Sequence, residues 1–250
     1  MIEIKNIDVC YGKQRVIECV DARVEKGELL SIIGANGCGK STLLNAVRGA
    51  LGLTGGEILV DGEDVSSMRQ VQIARRIAYL PQGKGTPDMT VEQLVLHGRF
   101  PYLSYPRRYS ERDRKIAADA MERVGVSHLA ARPLATLSGG MRQTAYIAMA
   151  LAQDTDYILL DEPTTYLDIS HQIALMKMLR KLCDSGKGIV TVMHDLPLAF
   201  DFSDRVLALH EGRVAVCATP AVACESDTVR DIFGVGIAYA PEQGKYTYRY

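Results

Sequence analysis

Apolar and polar positions alternate along this chain in two ways, one typical of strands and the other of helices. Strands are predicted where a short apolar run ends at turn or charged residues, namely at residues 2–7, 16–24, 29–33, 57–60, 77–80, 157–161, 189–193, 206–209 and 213–218. Asp61-Gly62 is a tight-turn pair after the fourth run, and Glu211-Gly212 joins the last two runs into a predicted hairpin.

A helical pattern replaces the strand pattern between about residues 87 and 151. Helices are predicted at residues 90–99 and 110–124, and a third opens near Ser138. This change predicts a helical subdomain inserted into an α/β body. Residues 1–225 are therefore expected to form a single domain, and residues 226–250 a short C-terminal tail.

The α/β pattern resumes after this insertion with a helix predicted at residues 169–183. Its apolar positions recur at the spacing of one helical face, at Ile169, Ile173, Met176 and Leu179. We therefore expect this face to be one buried stripe.

The most informative motif is the stretch from Gly34 to Thr42, the phosphate loop, which matches G-x-x-x-x-G-K-[ST] between a strand and a helix. Its glycines let backbone N–H groups point at phosphate oxygens, and the helix N-terminus adds partial positive charge. Lys40 is expected to reach the β- and γ-phosphates, and the Ser41 hydroxyl to ligate Mg²⁺. The candidate nucleotide-binding residues here are Gly34, Asn36, Gly37, Cys38, Gly39, Lys40, Ser41 and Thr42.

Two carboxylates, Asp161 and Glu162, follow the apolar run at residues 157–160. Such pairs often only cap the next element, but here a phosphate loop precedes them in the same α/β pattern. Because ligand sites form at the carboxyl ends of parallel strands, Asp161 is expected to hold Mg²⁺, directly or through water. Glu162 is expected to polarise the water that attacks the γ-phosphate.

A second anion-binding helix end is predicted at Leu137-Ser138-Gly139-Gly140, called the signature below. Ser138 can cap the helix that follows it. The two glycines leave N–H groups bare at the positive end of that helix.

Together these motifs resemble those of the ATP-binding subunits of ABC transporters, over about residues 1–225. The resemblance implies an α/β fold, a P-loop NTPase core with an inserted helical subdomain and an antiparallel β subdomain. In that family two subunits pair head to tail, with ATP between the phosphate loop of one and the signature of the other. A homodimer or pseudo-dimer is implied, in which Ser138 and Gly140, with Gly139 between them, contact the γ-phosphate in trans.

Further residues match motifs of the same family, in the order in which the family has them along the chain. Tyr11 stands where an aromatic residue stacks on adenine, and Gln82 resembles the glutamine that senses the γ-phosphate through Mg²⁺ and faces the membrane partner. Residues 166–168 resemble the loop between subunits, and His194 resembles the histidine that contacts the γ-phosphate. The implied catalytic residues are Lys40, Gln82, Glu162 and His194, and the implied Mg²⁺ ligands are Ser41, Gln82 and Asp161. Met141 departs from the family, which usually has Gln there, so a side-chain hydrogen bond across the dimer is lost.

Composition and charge narrow the choice of partners. The 250 residues carry a net charge of −1, so no global field attracts nucleic acid. No apolar run approaches the roughly 18 residues of a membrane span, and the N-terminus lacks the layout of a signal peptide. Any link to a membrane is therefore expected to come through a partner.

Residues 97–103 and 162–172 resemble the ATPases of ferric siderophore importers, whose architecture haem and vitamin B12 importers share. This resemblance implies an ATPase that energises an importer from the cytoplasmic face of the inner membrane. Its implied partners are a permease and a substrate-binding protein. The alternatives are a vitamin B12 or haem importer ATPase, an ABC exporter ATPase and a soluble non-transport ABC ATPase. The last of these typically carries a coiled-coil insertion or tandem cassettes that this chain lacks.

The six cysteines show no C-x-x-C pair and no zinc-ligand spacing, which predicts burial as small apolar residues in a reducing compartment. Cys38 is the exception, because it lies in the phosphate loop at a helix N-terminus, where the thiolate is favoured. A redox-sensitive Cys38 is one alternative for this position.

Overall fold

The computed structural model describes residues 1–83, 85–165 and 167–249, so Tyr166 of the predicted inter-subunit loop lies outside the described residues. The strands are β1 Ile2–Tyr11, β2 Gln14–Val24, β3 Leu29–Ile33, β4 Gly55–Val60, β5 Glu63–Asp64, β6 Ile77–Leu80, β7 Tyr157–Leu160, β8 Gly188–Val192, β9 Arg205–His210, β10 Arg213–Ala218, β11 Gly236–Ala240 and β12 Lys245–Arg249. The helices are α1 Lys40–Val47, α2 Gln70–Ala74, α3 Val91–His97, α4 Glu111–Arg123, α5 Gly139–Ala152, α6 Ile169–Asp184, α7 Leu196–Phe202, α8 Pro220–Glu225 and α9 Thr228–Phe233.

A central sheet in the order β10-β9-β3-β8-β7-β6 carries the site, and all its neighbouring strands are parallel except the β9–β10 hairpin. Every residue of β3, β7 and β8 is buried, as expected for parallel strands covered on both faces. Leu29 and Ile33 of β3 pack into the cluster of α5, α6 and α7, whereas Leu30 and Ile32 pack into the cluster of α1. Successive side chains therefore point to opposite faces of the sheet, and the parallel direction of β3, β6, β7, β8 and β9 brings their carboxyl ends to one edge.

A smaller antiparallel sheet in the order β2-β1-β4-β5 covers the α1 side. The predicted turn after β4 is confirmed, because Asp61 and Gly62 both have positive φ, 51° and 82°. That conformation matches the right-handed twist of a hairpin. The α/β fold with an antiparallel β subdomain is therefore the one that the sequence predicts.

The helices α3, α4 and α5 pack against one another, and each begins at a residue whose side chain caps it. Thr90 and Ser110 accept hydrogen bonds from the third backbone N–H of α3 and α4 in capping boxes. Ser138 accepts a 3.3 Å hydrogen bond from the Met141 N–H at the start of α5. The predicted helices at 90–99, 110–124 and beyond Ser138 are thus confirmed.

The predicted buried stripe of α6 is wrong at its first position. Ile169 is 75% exposed, whereas Met176 and Leu179 are fully buried and Ile173 is half-buried. The buried face begins at Leu175, because only the later turns of α6 pack into the core against β3 and β8. The first turn extends beyond that contact.

Residues 226–249 form α9 and the β11–β12 hairpin. The hairpin packs on α7, where the ring of Tyr246 meets the edge of Phe200 with centroids 5.4 Å apart. Within the described part of the chain, no helix is long and apolar enough to cross a membrane.

Candidate active site

The phosphate loop joins β3 to α1, and close packing makes glycine necessary at two of its positions. A Cβ at Gly34 would lie 2.3 Å from the Leu209 carbonyl oxygen. Gly39 has φ 107°, and a Cβ there would lie 2.7 Å from Ile17 Cδ1. The loop is therefore held between β2 and β9, and it presents backbone N–H groups at the N-terminus of α1.

Lys40 is buried in the loop that carries it. Its Nζ donates hydrogen bonds to the carbonyl oxygens of Gly34, at 2.8 Å, and Ala35, at 2.9 Å. An ammonium group has three donors, so these two bonds hold the charge in place and leave capacity for a phosphate oxygen.

Asp161 follows β7 and is 4% exposed. Tyr79 donates a 3.4 Å hydrogen bond to Asp161 Oδ2, while Oδ1 is buried without a hydrogen-bond partner among the described residues. Burial raises the pKa of Asp161 and the charge of Glu162 raises it further, while interactions with Ser41 and Lys40 oppose the rise. A buried oxygen without a partner fits a hard divalent cation, so the donor set of Ser41, Gln82 and Asp161 is compatible with Mg²⁺.

Glu162 is held by side chains from two other segments of the chain and by one from its own loop. Its Oε1 lies 2.6 Å from His194 Nε2. Its Oε2 accepts one hydrogen bond from Gln82 Nε2 and another, at 3.1 Å, from the Thr165 hydroxyl. The Glu162 backbone has φ 49°, which is uncommon for a residue other than glycine. The Glu162 side chain lines the same cleft as the phosphate loop.

Lys40, Glu162 and His194 line one cleft of about 440 Å³, the active-site cleft, whereas Asp161 is not among its lining residues. Its lining residues are Val16, Asn36, Gly37, Gly39, Lys40, Ser41, Thr42, Gln82, Glu162 and His194. Val16 was not predicted to line the site, and no motif marks it, because only the packing of β2 brings it there. Tyr11 is half exposed at the end of β1 and is not among the lining residues.

The expected stabilised thiolate at Cys38 is wrong. The side chain is buried beneath the loop, and a Cβ at Gly34 would lie 2.6 Å from Cys38 Sγ. Burial raises the pKa of the Cys38 thiol and outweighs the opposing effect of Lys40. A buried thiol of raised pKa is poorly reactive towards oxidants.

Ser138, Gly139 and Gly140 are not among the residues that line the active-site cleft. The signature helix is instead connected to the segment after Glu162, because Gln143 Nε2 donates a 2.7 Å hydrogen bond to the Pro163 carbonyl oxygen. Within one chain, the signature and the phosphate loop are therefore separate surfaces.

A phosphate loop after β3, carboxylates after β7 and a histidine after β8 define an ATPase of the P-loop class with an inserted helical unit. The sequence profile of the ABC transporter family matches residues 17–165. The chain belongs to that family, and it is an ABC ATPase that binds and hydrolyses nucleotide.

Two relatives illustrate the similarity in sequence. The petrobactin import ATP-binding protein FpuD of Bacillus anthracis is 43% identical over 234 residues, which is 93% of this chain and 86% of FpuD. The ferric enterobactin transport ATP-binding protein FepC of Escherichia coli K12 is 40% identical over 227 residues, 90% of this chain and 84% of FepC.

Two solved structures illustrate the similarity in fold. An ABC transporter in an inward-facing conformation matches with a TM-score of 0.85 at 26% identity, covering 100% of this chain and 97% of that chain. The dimeric structure of the bacterial ABC transporter cassette MJ0796 matches with a TM-score of 0.77 at 29% identity, covering 88% and 99% of the two chains.

Proposed function

We propose that this chain is the ATP-hydrolysing subunit of a membrane importer for ferric siderophores. It works as a head-to-tail dimer at the cytoplasmic face of the inner membrane, bound to an integral-membrane permease. A substrate-binding protein delivers the cargo to that permease. The similarity to FpuD and FepC, which are named for petrobactin import and ferric enterobactin transport, supports this cargo class.

The observation that carries the ATPase mechanism is the convergence of Lys40, Gln82, Glu162 and His194 on the active-site cleft. The phosphate loop binds the triphosphate through its N–H groups, and Lys40 places a positive charge at the β- and γ-phosphates. Ser41, Asp161 and Gln82 would hold Mg²⁺, which would neutralise phosphate charge when bound.

Glu162 orients the attacking water and accepts its proton. Both of its oxygens are hydrogen-bonded, so the carboxylate is pre-positioned. His194 and Gln82 both contact Glu162 and both line the cleft, so they link the carboxylate to the γ-phosphate region.

The separate surfaces of the signature and the phosphate loop support a dimer. Ser138, Gly139 and Gly140 carry the positive end of α5 and do not line the cleft of their own chain. In a head-to-tail pair they would contact the γ-phosphate held by the second copy, and Tyr11 would stack on the adenine. The dimeric state of the MJ0796 cassette supports this arrangement.

The chemistry of the site is tested with Glu162→Gln. This variant should bind Mg-ATP but hydrolyse it about 10²-fold more slowly, because the amide does not accept the water proton. Size-exclusion chromatography with Mg-ATP should then detect an accumulated dimer. Normal hydrolysis, or ATP binding without dimerisation, would contradict the mechanism.

The cargo is tested in a deletion strain that carries either the wild-type gene or Lys40→Ala. We expect loss of ⁵⁵Fe uptake from a ferric siderophore in the deletion and rescue by the wild-type gene alone. Normal siderophore uptake with defective uptake of vitamin B12 or haem would reject the iron cargo and retain the importer.

A further inference from the structure

His171, on the first turn of α6, contacts both the loop that follows Glu162 and the signature of the same chain. Its partners are the Asp168 carboxylate on one side and Gly140 on the other. Neither contact belongs to the active-site cleft, because His171 and Asp168 are not among its lining residues.

The contact with Asp168 is a charged hydrogen bond of defined direction. His171 Nδ1 lies 2.8 Å from both Asp168 oxygens, and the His171 backbone N–H donates to Oδ1 at 2.9 Å. These bonds, with one from Ser170 Oγ at 2.7 Å, lower the pKa of Asp168. Because an ionised carboxylate only accepts hydrogen bonds, the proton of the imidazole must lie on Nδ1.

The contact with Gly140 is steric. A Cβ built on Gly140 would lie 3.1 Å from His171 Cδ2 and 3.4 Å from Cγ. The imidazole therefore lies against the bare backbone of the second signature glycine. A side chain at Gly140 would press on the imidazole, so that the ring or the helix that carries it would have to move.

Described residues on both sides of position 166 are held by hydrogen bonds. Thr165 donates to Glu162 Oε2 at 3.1 Å, and Gln172 Nε2 donates to the Leu167 carbonyl oxygen at 3.1 Å. Gln172 Nε2 also donates a 3.3 Å hydrogen bond to the Thr164 carbonyl oxygen, so the first turn of α6 contacts described residues close to Glu162 as well as the signature.

We infer that His171 is a positioning residue that holds the signature at a fixed position relative to Asp168. The signature and Asp168 then contact the second copy of the chain in a single relative arrangement. This inference rests on the dimer of the proposed function. The Nδ1–H bond orients the imidazole, and the ring then sets the position of Gly140. ATP-driven dimerisation consequently depends on His171, whereas nucleotide binding by a single chain does not.

The test measures the Kd of the Mg-ATP dimer by analytical ultracentrifugation in the Glu162→Gln background. His171→Ala should raise this Kd about tenfold, the size expected from losing one hydrogen bond to a charged group. His171→Asn keeps an N–H donor for Asp168, and His171→Phe keeps a ring against Gly140. Each should raise the Kd by about threefold, because each retains one contact.

Ser170→Ala is the matched control, because it removes a different hydrogen bond to the same carboxylate and leaves the ring in place. Its Kd should stay within about twofold of the parent. Affinity for a fluorescent ATP analogue, measured at monomer concentrations, should be equal in every variant. If His171→Ala does not fold, the Asn and Phe variants carry the test.

An unchanged Kd in the His171 variants would overturn the inference. An equal loss in Ser170→Ala would also overturn it, because the effect would then belong to the capping of α6. Failure of the Glu162→Gln parent to dimerise would instead reject the proposed dimer, and with it the inference.

Discussion

Glu162 Oε1 and His194 Nε2 lie 2.6 Å apart, although the two residues belong to different strand-to-helix connections. They meet because β7 and β8 are parallel neighbours, with Ile158 opposite Ile189. Both strands therefore end at the same edge of the sheet, where ligand sites of α/β proteins form. The pair joins the residue proposed to activate water to a residue proposed to contact the γ-phosphate.

His194→Ala should lower ATP turnover by about 10²-fold with little change in Mg-ATP affinity. The reason is that Glu162 loses a partner that holds Oε1, while Lys40 and the loop N–H groups remain. Steady-state ATPase assays and equilibrium nucleotide binding measure the two effects separately. His128→Ala, at an exposed position outside the cleft, should behave as wild type; full turnover by His194→Ala would contradict the proposed role.

Lys40→Ala should abolish nearly all ATPase activity and most ATP affinity while the protein stays folded. The substitution removes the point charge that the Gly34 and Ala35 carbonyls hold inside the loop. Isothermal titration with Mg-ATP and circular dichroism measure affinity and folding. Lys115→Ala, on the exposed face of α4, is the charge-matched control. Wild-type-like turnover by purified Lys40→Ala would reject the assignment of the phosphate loop.

Asp161→Asn should raise the Mg²⁺ concentration needed for half-maximal ATPase activity. The carboxylate charge at a proposed Mg²⁺ ligand is lost, while the shape of the side chain is retained. A Mg²⁺ titration at saturating ATP measures the shift, which we expect to be about tenfold, the effect of roughly 1.4 kcal/mol. An unchanged titration curve would remove Asp161 from the proposed ligand set.

The same substitution should stabilise the nucleotide-free protein at neutral pH. Burial raises the pKa of Asp161, so the folded state binds a proton more readily than the unfolded state, whose Asp pKa is about 3.9. The contribution of the Asp161 carboxyl to stability is thus full below that value and is lost as pH rises through the folded-state pKa. In urea unfolding between pH 4 and 8, the free energy of unfolding should therefore fall less in Asp161→Asn than in the wild type. A steeper fall in the variant would contradict this sign.

Tyr105→Ser should weaken transport more than the ATPase activity of the free subunit. We propose that Gln82 and the following segment through Tyr105 form the contact for the permease, and Tyr105 is 97% exposed. Siderophore uptake in cells and ATPase activity of the purified chain are the two measurements. Val222→Ser, an exposed apolar position on α8, is the control and should affect neither. Equal losses of transport and free-subunit activity would argue against a contact surface here.

The phosphate loop and the helix caps are examples of what could be predicted from sequence. Gly39 has a positive φ of 107°, which favours glycine, and Ser138 caps a helix through its near neighbours. These features depend on local backbone conformation and on residues close together in the chain. Their residue types therefore carry the information directly.

The strand runs and the carboxylates at residues 161 and 162 were predictable for a related reason. Burial on both faces makes a central strand apolar throughout, and parallel strands deliver their carboxyl ends to one edge. Sequence by itself thus determined the α/β class, the six strands of the central sheet and the chemical identity of most of the residues around the cleft.

Tertiary structure alone decided the features that depend on packing between distant segments. The exposure of Ile169, the raised pKa of Cys38, the entry of Val16 into the cleft and the contact of His171 with Gly140 all follow from which elements lie against each other. Helical spacing describes which side chains share a face, but it does not specify where the neighbouring element ends. Burial and contact are properties of that neighbour, which is why they appear only in the folded chain.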